Sequence, residues 1–248
     1  MTSSIDRQRI EDAIVKVYNI ILSTKNISAR YIAILAIASL WIDAYDFSAF
    51  SYGIASFKAT FPWISPWLLG LVATSINIGA LFGTVFGGWL TDRLGRRAMF
   101  TLNMILFTVV AIAAGFAPDP YTVLVLRTLL GFALGADVAT GFAYVFEYME
   151  KTQRLWWSYL WNLQWYTMLI VVSYAIVYPF YITVHTLQNP LLWRIIFWIG
   201  GVLAGIILAF RSRIPESIMW LAYQGRLATV RQLLKKIYNI DLPPDIPI

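Results

Sequence analysis

The stretch Gly88-Trp89-Leu90-Thr91-Asp92-Arg93-Leu94-Gly95-Arg96-Arg97 ends one long apolar segment and is followed at once by another. The sequence is apolar back to Pro66 and apolar again from Ala98 to Phe116, so each flank is long enough to cross the hydrocarbon core of a bilayer. These ten residues, with one acid and three arginines, therefore predict a charged hairpin tip between two membrane-spanning helices.

The composition is that of an integral membrane protein. Of the 248 residues, 59% are hydrophobic and 13% are charged, and the mean hydropathy is +0.67. In soluble domains the charged share is about a quarter. The net charge of +6 could indicate nucleic acid, but in a membrane protein basic residues more often report orientation, so no nucleic-acid partner is predicted.

Residue types that metal or cofactor chemistry needs are scarce. There is no cysteine, and the single histidine, His185, falls in a predicted loop. The sequence contains no glycine-rich phosphate loop, no cluster of His and Cys, and no nucleophile elbow. We therefore predict no metal, no cofactor and no enzymatic activity.

Six apolar segments are long enough to span a bilayer. They are residues 30–57, 66–90, 98–117, 121–148, 155–183 and 190–210. Most Lys and Arg residues between them fall on the side that also holds both ends of the chain, and the positive-inside rule assigns that side to the cytoplasm. The sequence thus predicts an all-α, polytopic protein of the plasma membrane, embedded in lipid, with both termini cytoplasmic.

Amphipathic stretches flank the predicted bundle. Within residues 1–28, apolar residues at helical spacing indicate a cytoplasmic helix that lies on the membrane surface. Near the C-terminus, one face of a predicted helix carries Leu227, Val230, Leu233, Leu234 and Ile237. The predicted organisation is an interfacial helix over 1–28, a transmembrane bundle over 29–212, and cytoplasmic amphipathic helices with the end of a linker over 213–248.

Small residues recur every four positions in two predicted helices. They are Gly79, Gly83 and Gly87 in the second helix and Gly131 and Gly135 in the fourth. Such spacing lets helix backbones approach closely in lipid. We expect tight helix packing here, although smooth faces of this kind also allow one bundle of a transporter to slide past another.

Ionisable residues inside the predicted spans are the sharper functional signal, because a charge at membrane depth is costly unless it faces a cavity or a partner. Asp43 and Asp46 lie three residues apart, on one face of the first helix. Arg127, Asp137 and Glu147 follow along the fourth helix. These charges can be paired for architecture alone. Alternatively, a carboxylate beside an arginine in a cavity can exchange a proton with the aqueous side.

The charged tip from Gly88 to Arg97 resembles the signature loop between the second and third helices of the major facilitator superfamily. Further matches to its sugar-porter branch follow in order: Arg127-x3-Gly131, Tyr144-x2-Glu147 with Arg154 after it, Pro215-Glu216-Ser217, Trp220-Leu221 and Gly225-Arg226. Similarity to the proton symporters for phosphate and organic acids lies in Asp43-Ala44-Tyr45-Asp46 and Gly135-Ala136-Asp137.

This resemblance implies roles for individual residues. The predicted proton-coupling residues are Asp46, its partner Arg127, and Asp43. The predicted solute-binding residues are Asp137, Gln164 and Asn162. The network predicted to lock the outward-facing state on the cytoplasmic side comprises Asp92, Arg93, Arg96, Arg97, Glu147 and Arg154. Because an acid at the C-terminal end of its own helix is unfavourable, Asp92 is expected to find its partner outside these 248 residues.

The chain corresponds to the N-terminal half of the family that it resembles. A lone half cannot carry out alternating access, which needs two bundles that move about a central site. We therefore predict half of a secondary transporter, proton-coupled, for a sugar, an organic acid or phosphate, which acts with a second half or as a homodimer. The alternative is an accessory subunit, derived from a transporter half, in a larger membrane complex.

Overall fold

A computed structural model describes residues 15–19, 34, 40–148, 154–212 and 214–240, apart from the side chains of Leu40, Arg154, Trp157 and Trp161. Every regular element in these ranges is helical. The helices are α1 (Leu40–Thr60), α2 (Pro66–Leu94), α3 (Arg96–Gly115), α4 (Pro120–Tyr148), α5 (Arg154–Val172), a π-helical turn (Ser173–Val177), α6 (Tyr178–Val184), α7 (Leu191–Arg211), α8 (Ile218–Tyr223) and α9 (Leu227–Tyr238).

Five of the described helical stretches are long and apolar enough to cross a membrane. They are α2, α3, α4, α7 and the continuous stretch Ser158–Val184 that runs through α5, the π-helical turn and α6. The prediction of an all-α membrane protein is confirmed. The remaining predicted span, residues 30–57, is the first of the six. Most of residues 30–39 lie outside the described ranges and α1 is not among these five stretches, so the count of six stays a prediction.

Helices α2 and α4 pack with their backbones in contact. A Cβ added at Gly83 would lie 2.1 Å from the Phe132 backbone oxygen, and one added at Gly135 would lie 2.1 Å from that of Ala80. Any side chain larger than hydrogen would therefore force the two helices apart. The close packing expected from the glycine spacing is thus realised, and it fixes the position of α4 beside α2.

A cluster of aromatic side chains fills the middle of the bundle. Phe50 and Phe57 from α1 meet Phe107 from α3 and Trp193 and Phe197 from α7, and all five side chains are buried. The rings of Phe57 and Trp193 meet edge to face, with their centroids 5.2 Å apart. This cluster holds α1, α3 and α7 together around the interior.

The helices α8 and α9 cover one end of the bundle, which we call the tail end. Ser217 begins α8 as its N-cap by accepting a hydrogen bond from the Trp220 backbone N–H at 3.0 Å. The predicted apolar face of α9 is buried at Leu227, Val230, Leu234 and Ile237, with Leu233 partly buried. These side chains pack with Phe100, Tyr144 and Tyr148 at the ends of α3 and α4.

The helix predicted over residues 1–28 lies outside the described ranges except for residues 15–19, which are helical. Within that turn Val17 is buried in the apolar cluster of the tail end. The described residues nearest to both chain ends therefore meet at the same end of the bundle, beside the turn between α2 and α3. The location of the 1–28 segment at a membrane surface, and that of both the 1–28 and 213–248 segments in the cytoplasm, stay predictions.

Candidate functional site

Charged and polar side chains come together at two places in the described structure. The interior group lies between the membrane-spanning helices and consists of Asp43, Asp46, Arg127, Asp137, Gln164 and Arg211. The tail-end network lies beside the turn between α2 and α3 and consists of Asp92, Arg96, Glu147, Glu216 and Ser217. The two sets share carboxylates and guanidinium groups but differ in how those groups are bonded.

In the interior group, both acids of α1 are buried inside the bundle. Asp43 and Asp46, one turn apart, are 0% and 1% exposed. Within the described residues, neither oxygen of the Asp43 carboxylate has a hydrogen-bond partner, and the same is true of the Oδ2 atom of Asp46. Two buried acids on one helical face, largely without hydrogen-bond donors, cannot both carry a charge at low cost.

Arg127 of α4 lies within electrostatic range of Asp46. The described residues nevertheless show no direct ion pair between them. The Arg127 Nε atom instead donates to the Val72 backbone oxygen at 3.1 Å, and its guanidinium carbon lies 4.0 Å from the centre of the Phe50 ring. The structure thus brings the predicted pair together in the interior but does not join the two side chains in an ion pair.

Asp137 forms a direct ion pair that the sequence did not predict. Its Oδ1 atom lies 2.7 Å from the Nη1 atom of Arg211, and the two side chains are 0% and 1% exposed. Arg211 is the last residue of α7, and its guanidinium also lies 3.7 Å from the centre of the Phe100 ring. The end of an apolar helix is where a basic residue is expected to lie outside the span, but Arg211 turns back into the bundle.

The two amides predicted to bind solute lie in different surroundings. Gln164 is 2% exposed, and neither atom of its amide group has a hydrogen-bond partner among the described residues. Asn162 is exposed on the outer face of α5, where its amide donates to the Ser158 backbone oxygen at 3.0 Å. The structure therefore brings Gln164 into the bundle but leaves Asn162 outside it.

Gln164 lines a cleft between α1, α5 and α7. The cleft has a volume of about 560 Å³ and is walled mainly by apolar side chains, among them Ile42, Leu163 and Ile206. Tyr45 also lines it, and its hydroxyl donates to the Ile196 backbone oxygen at 2.8 Å. An amide with free hydrogen-bonding capacity in an otherwise apolar cleft is a suitable contact for one polar group of a small molecule.

At the tail end, Arg96 binds two carboxylates at once. Its Nη1 atom lies 3.0 Å from Asp92 Oδ1, and its Nη2 atom lies 3.0 Å from Glu147 Oε1. The other oxygen of Glu147 accepts a hydrogen bond from the Ser217 hydroxyl. One guanidinium therefore joins the end of α2 to the end of α4, and Glu147 extends that connection to the start of α8.

Glu216 caps the N-terminus of α3 from a distant part of the chain. Its Oε1 atom accepts from the backbone N–H groups of Arg96 at 2.9 Å and Arg97 at 3.2 Å, and from its own neighbour Ser217 at 2.9 Å. Helix N-termini leave such N–H groups without intrahelical partners and favour a negative charge. Glu216 belongs to the family motif Pro215-Glu216-Ser217, but the sequence alone did not predict this hydrogen bonding.

Tyrosine hydroxyls fasten the same segment to α4. Tyr144 donates to the Pro215 backbone oxygen and Tyr148 to that of Glu216, both at 2.8 Å. Tyr238 of α9 donates to the Tyr148 backbone oxygen at 3.1 Å, and burial raises the pKa of the Tyr238 phenol above its ordinary value. The phenol therefore stays protonated and remains a hydrogen-bond donor throughout the physiological range.

Other predicted members of the network lie apart from it or find different partners. Arg93 is stacked on the Trp89 ring at 3.9 Å, and Arg97 donates to the Ser212 backbone oxygen at 3.0 Å. The side chain of Arg154 lies outside the described residues. The expectation that Asp92 lacks a partner within the chain was wrong, because the tight turn at Gly95, with φ of 95°, brings Arg96 within reach.

Comparison with known proteins identifies transporters as relatives of this chain. Residues 20–245 match a family model described as "Sugar (and other) transporter". The inner membrane metabolite transport protein YdjE of Escherichia coli K12 is 30% identical over 194 residues, which cover 73% of this chain and 40% of that protein. Inositol transporter 4 of Arabidopsis thaliana is 27% identical over 199 residues, which cover 79% of this chain and 33% of that protein.

Among solved structures, the xylose transporter XylE from E. coli, in a partially occluded inward open conformation, superposes with a TM-score of 0.74. Its sequence is 19% identical, and the match covers 84% of this chain and 55% of that one, so the likeness concerns the fold. The chain spans less than half the length of the two relatives named above, at 40% and 33%.

Proposed function

This chain belongs to the sugar (and other) transporter family of the major facilitator superfamily, and we propose that it forms one half of a proton-coupled transporter for a small polar solute. Its second half is a further bundle of similar size, either another polypeptide segment or a second copy of this chain. The proposal includes a second half because alternating access needs two bundles that move about a central site.

The observation that carries the proposal is the placing of Asp46 beside Arg127 without an ion pair. A buried carboxylate near a guanidinium is stable as an anion while the arginine is close and takes up a proton when the arginine moves away. Binding of a solute group by Arg127, or rotation of α4, would supply that change. A static structural pair has no need of this gap, and burial of unpaired charges costs several kcal/mol.

The solute-binding role rests on Gln164 and the cleft that it lines. Its free amide offers both a donor and an acceptor, which suits a hydroxyl or carboxylate group of the solute. Asp137 is a contact for solute only when Arg211 releases it, because the two are joined at 2.7 Å. Asn162 lies on the outer face of α5, and in this proposal it meets solute only if the second half covers that face.

The tail end faces the cytoplasm in this proposal, and the membrane is the plasma membrane. Both described chain ends meet there, together with most of the basic residues outside the spans. The tail-end network then braces α2, α3, α4 and α8 on the cytoplasmic side. In this scheme Asp92, whose side chain is 73% exposed, offers its free surface to the second half.

The experiment begins with the native particle. The chain is extracted gently from its own membrane, and the mass and composition of the complex are measured. The proposal predicts a second bundle of the same family or a second copy of this chain. Purification with an unrelated membrane enzyme, and with no second bundle, would support the accessory-subunit alternative and overturn the proposal.

The same particle is then placed in liposomes and tested for uptake of xylose, myo-inositol, nicotinate and phosphate, with and without an imposed pH gradient. We expect uptake of at least one probe to be stimulated by an inside-alkaline gradient and to lose that stimulation in Asp46→Asn. A matched control is Arg93→Ala, which alters a charge outside both sets and should leave the stimulation intact. If the pH gradient stimulates uptake equally in wild type and Asp46→Asn, then Asp46 has no role in proton coupling.

A further inference from the structure

Asp43, Asp137 and Arg211 form a buried cluster with more acid than base. Asp43 comes from α1, Asp137 from α4 and Arg211 from the end of α7, and their side chains are 0%, 0% and 1% exposed. Among the described residues, the charged groups that act on Asp43 are Asp137, Arg211 and, one turn along its own helix, Asp46. Three helices therefore bring two carboxylates to a single guanidinium.

The hydrogen bonds of the cluster are unequally divided. Asp137 holds Arg211 at 2.7 Å. Asp43 lies in electrostatic range of the same guanidinium, yet neither of its oxygens has a hydrogen-bond partner among the described residues. An ionised carboxylate that is buried beside another carboxylate, with no hydrogen-bond donor among the described residues, is strongly disfavoured. A protonated Asp43 leaves the cluster with one negative and one positive charge, which cancel.

We infer that this cluster is a one-proton site in which the two aspartates exchange the roles of proton carrier and counter-ion to Arg211. In the state described here, Asp137 is the counter-ion and Asp43 carries the proton. When Arg211 turns to Asp43, the proton passes to Asp137. The charges of these three groups sum to zero in both arrangements, so the exchange itself adds no net charge to the cluster.

The role of this site in transport rests on the proposed function. There it gives the proton-coupled transporter a second proton-binding position, one helical turn from Asp46. The sharing of one proton between Asp43 and Asp137 can nevertheless be tested without measuring transport. Arg211 is also joined to the tail, since its backbone oxygen accepts the Ile214 N–H at 3.0 Å. The cluster therefore lies directly beside the tail-end network.

The test counts buried carboxylic acids by infrared spectroscopy of the whole chain in lipid nanodiscs, using the C=O stretch of a protonated carboxyl group. Every sample carries Asp46→Asn, which removes the other interior acid of α1 from the signal. Acids outside the cluster contribute equally throughout the series. The reference sample should show one carboxylic-acid band from the cluster, and Asp43→Asn should abolish it.

Two further variants distinguish exchange from a proton fixed on Asp43. In Asp137→Asn, Arg211 should turn to Asp43, which ionises, so the band should again be lost. In Arg211→Gln, both acids should be protonated and the band should double. Arg211→Lys keeps the positive charge and should retain a single band.

A band that persists in Asp137→Asn would show a proton fixed on Asp43 and would overturn the exchange. A band that Asp43→Asn leaves intact would overturn the assignment altogether. Failure of the proposed function gives a different result. If the wild type shows no gradient-stimulated uptake while the infrared bands change as predicted, the transport role is wrong and the proton site stands. Circular dichroism of each variant verifies that its helices are retained.

Discussion

The interior group and the tail-end network are built from the same chemical groups, yet their carboxylates are satisfied to different degrees. At the tail end, Glu147 accepts hydrogen bonds at both oxygens, and one oxygen of Glu216 accepts three. In the interior, Asp43 accepts none from the described residues and Asp46 leaves one oxygen without a partner. Satisfied polar groups stabilise a fold, whereas buried groups left without partners require another explanation.

This difference separates architecture from function within one chain. The tail-end hydrogen bonds and ion pairs join the ends of neighbouring helices, so they stabilise a single arrangement of these helices. As anions, the interior acids are costly in that same arrangement, which is reasonable only if a proton neutralises them there or a solute or a moving arginine binds them at another stage. Substitutions should therefore affect stability at the tail end and proton handling in the interior.

The largest effect on stability is expected for Glu147→Ala. This change leaves the Arg96 guanidinium without its interhelical partner and also removes the acceptor of the Ser217 hydroxyl. Breaking a largely buried ion pair from one side costs about 3 kcal/mol. Chemical unfolding in detergent measures the loss. Arg93→Ala is the control and should change the free energy of unfolding little, and equal losses in both variants would contradict the special role of the tail-end network.

A smaller loss is expected for Gly83→Ala, which tests whether backbone contact rather than interior charge positions α4. The added Cβ would meet the Phe132 backbone oxygen at 2.1 Å, so the helices must separate. Overpacking of this kind costs about 2 kcal/mol. Gly88→Ala is matched in chemistry, but its Cβ would have its nearest neighbour at 4.0 Å, so that variant should be neutral in the same unfolding experiment.

A weaker, pH-dependent effect is expected at the opposite end of the bundle, where Asp119 caps α4. Hydrogen bonds from the Thr122 hydroxyl and backbone N–H lower the pKa of Asp119 from its ordinary value. The ionised form thus contributes stability at neutral pH, and this contribution is lost as the pH falls through the lowered pKa.

Asp119→Ala should therefore be slightly less stable than wild type at neutral pH, and the difference should shrink in acid. Asp119→Asn keeps a side chain that can cap the helix and should lie closer to wild type at neutral pH, and its difference from wild type should also shrink in acid, because it lacks the ionised carboxylate. Thermal unfolding across an acidic pH series checks both variants. A wild-type advantage over Asp119→Ala that grows in acid would show that the sign is wrong.

The smallest effect on stability is expected for Asp43→Asn, although this residue is fully buried. The ion pair between Asp137 and Arg211 remains, and the lost carboxylate had no hydrogen bond to lose among the described residues. Replacing such a group with a neutral one of similar shape should be close to neutral for unfolding. A loss as large as that of Glu147→Ala would place Asp43 with the architectural residues instead.

Much of the fold could be predicted because it depends on local sequence. The charged turn at Gly95, the glycine spacing of α2 and α4 and the apolar face of α9 are each encoded within a few helical turns. Two spans begin near their predicted positions because Pro66 and Pro120 suit the first turn of a helix. The types and limits of these elements therefore follow from periodicity and helix-end residues.

The partners within the site were harder to predict because they lie far apart in the sequence. Glu216 caps a helix 120 residues away, and Arg211 binds an acid 74 residues away. A single sequence carries no signal for such pairs beyond the presence of charges near helix ends. Asn162 shows the converse, since its position in a span did not determine whether it faces the bundle or the outside.

The central claim is that Asp46 handles protons, while the tail-end hydrogen bonds serve the fold. It is tested most directly by adding a transported solute to proteoliposomes in weakly buffered medium and recording the external pH. Wild type should make the medium more alkaline, and so should Tyr148→Phe per folded protein, because that variant loses only a tail-end hydrogen bond. Asp46→Asn should give no change in pH. Alkalinisation by Asp46→Asn equal to that of wild type would contradict the account.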